Sequence, residues 1–372
     1  MTPRIYLDHA ATTPTLPEAV EAMRAVPYGN PASAHAAGRQ ARRALEDARE
    51  LVAELLGADP GEVIFTSGAT EANNLALFGL AGDPPGHIVA GPVEHPCVVE
   101  PLNQLAGRGF TVEYLPVNRD GIVDLTALPA LLRTDTRLLS VQLVNHETGT
   151  ISASKSLVSD IKSAVHTDAA QAVGKIPVHF HDLGVTVLTV SAHKFGGPPG
   201  VGALLLRRGT QLRPLFFGGH QQQGRRPGTE PVALAVGLAT ALEIALRDMA
   251  ATTAHVTQLR ERFLGRLRSD AAPVVVNGDG VRHILNISFP GCLAEGLLMA
   301  LDLAGVSCSA GSACSSGSLL PSPVLRAMGL PDELLRSAVR FSFGPHTTAD
   351  EVDDAAGRIV AVVKRLRALP AD

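Results

Sequence analysis

Between Glu62 and Leu206, short runs of β-branched and aliphatic residues alternate with stretches of helical periodicity. That alternation constrains the fold more than any other feature of the chain. Val63-Ile-Phe-Thr66, His87-Ile-Val-Ala90, Thr111 to Leu115, Arg137 to Val144 and Val185 to Val190 read as strands, with helical patterns between most of them. Strands separated by helices call for parallel pairing, so the expectation is an α/β domain with a mainly parallel sheet. Ligands of such a domain sit beyond the carboxyl ends of the strands. A long helical pattern from Pro231 to Ser269 separates this part from a C-terminal one. The latter carries a strand (His283 to Phe289), a helix (Ala294 to Ala304), a Gly/Ser/Cys-rich loop, a second strand (Val339 to Phe343) and a final helix.

The chain has 372 residues, which makes two domains the natural expectation, and 45% of them are hydrophobic against 18% charged, enough for a sizeable core. The formal net charge is −4, with Lys and Arg scattered, which argues against nucleic acid as a ligand. The first residues lack the apolar core of a signal peptide. The longest apolar helical stretch, Val232 to Leu246, contains Glu243 and is too short to span a bilayer of roughly 30 Å. Four cysteines do not make a disulfide framework in a chain of this length. A soluble cytoplasmic protein with no membrane partner is expected.

The chemistry concentrates at strand ends. Val185 to Val190 closes on Ser191-Ala192-His193-Lys194, and the Gly/Pro-rich turn that follows starts at Gly196. A lysine delivered from a buried strand can be desolvated into a neutral amine able to form a Schiff base, which suggests pyridoxal phosphate. That cofactor also needs a carboxylate against its pyridine nitrogen, a ring-stacking group, a phosphate cradle and a cation for the substrate carboxylate. Asp168, leaving the short apolar strand before Ala169-Ala-Gln171, suits the first, although alone it reads first as a helix N-cap. Ser67-Gly-Ala-Thr-Glu71 opens a helix and offers backbone N–H groups to an anion, or is a simple cap. His95 follows a strand, where a lone histidine is more often structural. Arg340 lies in the apolar strand Val339-Arg-Phe-Ser-Phe343 and needs a carboxylate partner, from a substrate or from an internal Asp or Glu. Cys314 stands among small residues in Ser309 to Ser318, where nothing bulky shields it, and reads as an exposed reactive thiol on a mobile loop. Cys292 and Cys308 read as buried hydrophobes. The run from Gly196 to Gly202 lacks the ending of a P-loop. His179 and His181 have metal-like spacing without Cys, Asp or Glu at matching positions nearby, and read as a surface pair.

These motifs, in this order, resemble the cysteine desulfurases of the NifS/IscS type, within the class V aminotransferases of fold-type I. The resemblance runs from Tyr6-Leu-Asp-His-Ala-Ala-Thr-Thr13 through Gly29-Asn-Pro-Ala-Ser33, Val93-Glu-His-Pro96, Asn145-His-Glu-Thr-Gly149 and Arg226-Pro-Gly-Thr-Glu230. It continues to Gly311-Ser-Ala-Cys-Ser-Ser-Gly317 and Val339-Arg-Phe-Ser342. It implies a large domain at 15–255 with a mainly parallel seven-stranded sheet. It also implies a small α+β domain at 1–14 and 256–372 that carries the loop 307–322. By this resemblance Lys194 is the Schiff-base lysine, Asp168 faces the pyridine nitrogen and Gln171 bonds the ring hydroxyl. His95 stacks on the ring and acts in catalysis, and Asn145 lies beside cofactor and substrate. Ala69, Thr70, Ser191 and His193 hold the phosphate of pyridoxal 5'-phosphate, joined by Thr229 from a neighbouring subunit, which implies a homodimer with shared active sites. Arg340 and Asn30 receive the carboxylate of L-cysteine, which is converted to L-alanine while Cys314 accepts the sulfur as a persulfide. The loop type resembles forms that pass sulfur to an iron–sulfur scaffold or a thiolation protein. No metal site is implied. Selenocysteine lyases and class V aminotransferases share the scaffold and are the alternatives; an aminotransferase has no use for Cys314. A sulfur-relay subunit without catalysis would be expected to lack Lys194, Asp168 or Cys314. The chain departs from the pattern at His146, Ala192, Pro199, Pro227 and Pro231, and the serine-rich segment 152–165 is short, so a distorted crossover is expected there.

Overall fold

The computed structural model describes residues 3–152, 163–311 and 321–368. Cys314, most of its loop, and most of the short crossover segment lie outside the described residues.

The larger sheet joins seven strands: β2 (Val63–Thr66), β3 (His87–Ala90), β4 (Thr111–Tyr114), β5 (Thr136–Ser140), β6 (Ala164–Asp168), β7 (Val187–Ser191) and β8 (Gly202–Leu206). Their spatial order is β2-β8-β7-β6-β5-β3-β4. Pairings from β7 to β4 are parallel, whereas β8 runs antiparallel to both β7 and β2. The mainly parallel sheet is thus the expected one. β8 is the strand that the alternation did not single out. Residues 192–201 are too few for a crossover helix, so the chain can only return antiparallel. Alternate side chains enter opposite layers. Phe65, Leu188 and Leu205 join one core with Leu45 and Val52 of the Ala36–Leu56 helix, while Ile64, Val187 and Leu204 join another with Leu75 of the Ala69–Ala81 helix. Burial on both faces explains why these strands are continuous apolar runs.

The strand read from Arg137 to Val144 ends at Ser140. The chain beyond keeps bonding to β6 and its end, with Val141 N–H to His166 O at 3.1 Å and Leu143 N–H to Asp168 O at 2.9 Å. This carries Gln142 and Val144 past the sheet edge. The long helical pattern after Pro231 is two helices, Val232–Arg247 and Met249–Asp270, meeting at Asp248. The first packs into the core under the large sheet, and the second joins a separate core through Val256, Leu259 and Phe263.

That second core lies against an antiparallel sheet in the order β12-β10-β9, made of Ala338–Ser342 (β12), Ile284–Ser288 (β10) and Val275–Val276 (β9). Helices Ala294–Leu303 and Ala349–Arg367 complete it. The N-terminal strand β1 (Ile5–Tyr6) pairs in parallel with β11 (Val306–Ser307), so Ile5 and Leu7 are buried with the C-terminal part. Residues 8–13 then cross to the large sheet, where Thr13 N–H donates to His193 O at 2.9 Å. This crossing segment, β12 and the C-terminal ends of β6 and β7 meet in one place.

Candidate active site

A cavity of about 320 Å³ opens at the carboxyl ends of β2, β3, β6 and β7, beside Arg340 of β12. Ala69, Thr70, His95, Asp168, Gln171, Ser191, His193, Lys194 and Arg340 all line it. Nine of the residues singled out from sequence therefore share one wall system.

Asp168 ends β6 as a buried carboxylate with both oxygens engaged. Oδ1 accepts the Ala170 N–H at 2.8 Å, and Oδ2 accepts Nδ2 of Asn73 at 2.7 Å. The N-cap reading is corrected in form: the local bond closes a turn, and no α-helix follows. Asn73 Oδ1 in turn accepts from His166 Nε2 at 2.9 Å, and the other ring nitrogen of His166 meets Ser140 Oγ at 2.8 Å. Since an amide oxygen only accepts, His166 carries its proton on Nε2. Burial, only partly opposed by Asp168, pulls His166 down to about 4, so it is neutral. A neutral, bonded network behind a single carboxylate keeps that carboxylate fixed in place.

His95 is the N-cap of the Pro96–Gly107 helix, its Nδ1 accepting the Cys97 N–H at 3.1 Å. Cys97 Sγ lies 2.9 Å from the same nitrogen. Because Nδ1 accepts, the neutral ring carries its proton on Nε2. Burial first, then Lys194 and Arg340, lower the His95 pKa against the opposing pull of Asp168. His146 packs edge-on against it, ring centroids 4.7 Å apart, and is itself held neutral by burial. The departure at His146 thus places a second imidazole on the cavity wall.

Lys194 reaches across to the N-terminal segment, Nζ donating to Ala10 O and Ala11 O at 2.7 Å each. His193 Nδ1 meets Thr12 Oγ1 at 3.1 Å, and burial with the nearby Lys194 and Lys175 pulls it to about 4.

The Ala69–Ala81 helix begins after Gly68 with no side-chain cap. Its first N–H groups therefore lack intrahelical acceptors and suit an anion. Gly68 has φ +149°, and a Cβ on Gly202 opposite would lie 2.8 Å from the Gly68 Cα, so close backbone approach shapes this cradle. Glu71 would oppose an anion there. Burial raises its pKa, but bonds from Arg226 (2.8 Å) and Ser67 N–H (2.8 Å) outweigh that and hold it ionised and neutralised.

Arg340 is 2% exposed. Nη1 donates to His146 O at 2.7 Å, Nη2 pairs with Asp8 at 3.0 Å, and Nε has no partner. Of the two sources left open for its carboxylate, the internal one is present, supplied from 332 positions away.

The other expected residues stand elsewhere. Asn145 is buried and spends its side chain on its own turn, Oδ1 accepting from Glu147 N–H (2.8 Å) and Thr148 N–H (2.9 Å) and Nδ2 donating to Val93 O (3.0 Å). Gln142 and His146 line the cavity there instead. Asn30 is exposed, its Oδ1 closing a local turn with Ala32 N–H at 2.9 Å, and Thr229 is exposed. Neither lines this cavity. Cys314 lies outside the described residues. His181 is not a pair without acidic company: Nε2 lies 2.7 Å from Glu62 Oε2, with Asp59 close by. Glu62 also accepts from Asp59 N–H and Arg208 N–H, which accounts for this cluster structurally.

Sequence reading missed Asn73, His166, Cys97, Gln142 and Glu94. Glu94 neighbours His95, and burial pushes its carboxyl well above the usual range while Oε1 accepts the Gln142 N–H at 2.7 Å. Polar residues within the apolar runs, such as His166 before Asp168, were the available signal.

The donor set fits pyridoxal 5'-phosphate: an amine for the aldehyde, an anchored carboxylate for the pyridine nitrogen, an uncapped helix start for the phosphate and flat imidazoles along the walls.

The match to the aminotransferase class-V family spans residues 5–354. A cysteine desulfurase IscS of Dictyoglomus turgidum is 42% identical over 377 residues, covering 98% of this chain and 96% of that protein. A cysteine desulfurase of Mus musculus is 44% identical over 380 residues, covering 98% and 82%. Among solved structures, a NifS-like protein aligns with a TM-score of 0.91 at 34% identity, over 97% of this chain and 100% of that one. DndA from Streptomyces lividans aligns at 0.77 and 40% identity, over 91% and 99%.

Proposed function

The chain belongs to the class-V aminotransferase family, and from that premise we propose that it is a cysteine desulfurase that uses pyridoxal 5'-phosphate. The observation that carries this reading is the convergence of Lys194, Asp168, His95 and Arg340 on one cavity. When bound, the cofactor supplies an electron sink for the carbon left behind by the departing sulfur.

The remaining work falls to the chain's own residues. Asp168 presents a fixed negative charge to the pyridine nitrogen, and Ala69, Thr70, Ser191 and His193 hold the phosphate. Gln171 donates to the ring oxygen. Arg340 would bind the carboxylate of L-cysteine. Lys194 Nζ would move protons at the substrate α-carbon, and His95 would hold one on Nε2. Cys314, as thiolate, attacks the substrate sulfur: the new S–S bond forms as the carbon–sulfur bond breaks, and the electron pair stays with carbon. Protonation of that carbon gives L-alanine and leaves a persulfide on Cys314.

Further parts of the reading rest on the resemblance. The protein acts as a homodimer in which Thr229 serves the neighbouring site, and its exposure in one chain suits that role. The persulfide passes to an acceptor protein such as an iron–sulfur scaffold, consistent with the IscS name of one relative. Among the described residues no helix is long and apolar enough to cross a membrane, which agrees with a cytoplasmic setting.

The test is release of alanine and sulfide from L-cysteine in the presence of a reductant, comparing the protein with Cys314→Ala. Both products from the parent, and neither from a variant that still binds cofactor, support the reading. Full activity of the variant sinks the persulfide step and favours a lyase acting without a covalent sulfur carrier.

A further inference from the structure

Gln171 and Lys175 stand four residues apart on a tightly turned segment after β6, with Val173 N–H to Ala169 O at 3.0 Å and Lys175 N–H to Ala172 O at 3.0 Å. The turn brings their side chains together. Lys175 Nζ donates to Gln171 Oε1 at 2.6 Å, and Gln171 Nε2 donates to Ala10 O at 2.8 Å. Ala10 O is also one of the acceptors of Lys194 Nζ. A continuous path of polar contacts thus runs from Lys175 through the Gln171 amide to the lysine of the cavity.

The two ends of a glutamine amide have nearly the same shape and opposite chemistry, so the neighbours decide which end points where. A lysine only donates and a backbone carbonyl only accepts. With Lys175 on one side and Ala10 O on the other, a single orientation satisfies both, and the second N–H of Nε2 remains for the cavity that Gln171 lines. Without Lys175 the amide would lose the partner of its carbonyl, and the Ala10 carbonyl alone would hold the N–H edge in place.

We propose that Lys175 is a positioning residue: it fixes the Gln171 amide with its N–H edge toward the cofactor ring oxygen, and so sets how readily the Lys194–cofactor linkage takes up its proton. This rests on the reading of the cavity as a pyridoxal phosphate site.

The surroundings of Lys175 fit the role. The residue is 9% exposed and lines a second cavity of about 290 Å³ between the two parts of the molecule, together with His9, His283, His346 and Lys194. Burial, reinforced by Lys194 and Arg340, lowers its pKa to about 7. His9, His193 and His283 do not compete as charges, since burial holds His9 and His193 at about 4 and His283 at about 3. As amine or ammonium, Lys175 still has N–H to give Gln171.

The experiment is a pH titration of the visible absorption band of the cofactor-loaded protein. It is run on the parent, Lys175→Met, Lys175→Arg, Gln171→Leu and the Lys175→Met, Gln171→Leu double variant; Lys175→Leu replaces Lys175→Met if the latter does not fold. In Lys175→Met the amide keeps only one of its two fixing partners and presents its N–H edge to the negative ring oxygen less fully, so the midpoint rises by up to about one pH unit. Lys175→Arg, which keeps a donor, stays close to the parent. In the Gln171→Leu background the same Lys175 change has little further effect, because the two side chains act as one unit. An unmoved midpoint in Lys175→Met, or an undiminished shift without Gln171, overturns the inference while leaving the proposed function intact. A parent protein with no visible band overturns the cofactor reading and this inference with it.

Discussion

The two walls of the cavity are built on different principles. On the large-sheet side Asp168, Asn73 and His95 are already partnered. Asp168 has Asn73 and Ala170 N–H, Asn73 has His166, and His95 caps its own helix. On the β12 side Arg340 keeps an unpartnered buried Nε, and His146 beside it has both ring nitrogens without hydrogen-bond partners. An unmade buried bond costs about 1–3 kcal/mol, and one to a charged group costs more. That cost is tolerable where a ligand restores the bond. Under the proposed function, the contrast assigns the satisfied wall to the resident cofactor and the unsatisfied one to the transient substrate.

The contrast breaks or sharpens under three changes. The largest effect is expected for Asp168→Asn. Removing the fixed charge while keeping the hydrogen-bonding shape should lower kcat by about 10²–10³ with little change in KM for L-cysteine. Steady-state kinetics on the cofactor-loaded variant checks this, and a rise confined to KM would erase the distinction between the walls. Arg340→Lys comes next. It loses the planar fork that reaches His146 O and Asp8 together, so KM should rise about 10- to 100-fold with kcat less affected. A fall in kcat alone would show that the arginine does not meet the substrate.

The smallest effect concerns acid. His166 at about 4 and His283 at about 3 lie below the unperturbed histidine value of 6.5. Between these values the unfolded chain binds protons that the folded one refuses, so stability is full above about pH 6.5 and declines as pH falls toward 4. Denaturant midpoints across that window should drop progressively. Replacing His166 by Gln, which keeps a donor for Asn73, should flatten the decline. If the slope is unchanged, the neutral network behind Asp168 is not what responds to acid.

How far the chain could be read without its structure differs by residue. Lys194, Asp168, Ser67 to Thr70 and His95 were legible because each follows its strand directly, and a short polar turn after an apolar run is a local signal. Arg340 was legible as a misfit in an apolar strand, but its partner was not, since Asp8 lies 332 positions away. Asn73 sits 95 positions from Asp168 and reads as an ordinary helix residue until the sheet brings the two within 2.7 Å. Lys175 carries no local mark of its own, and its role depends on Gln171 and on the crossing of residues 8–13. Asn145 was placed at the cofactor by resemblance, whereas the structure engages its side chain in its own turn.

The sequence by itself determined the alternation of strands and helices, the parallel core of the large sheet and the strand ends that carry chemistry. These follow from side-chain periodicity and turn residues, which act over a few positions. Only the tertiary structure decided which polar group each buried charge meets: Asp8 for Arg340, Asn73 for Asp168, Gln171 for Lys175 and the Ala10 carbonyl for Lys194. A hydrogen bond depends on distance in space, and distance in space between remote residues exists only once the two cores have packed.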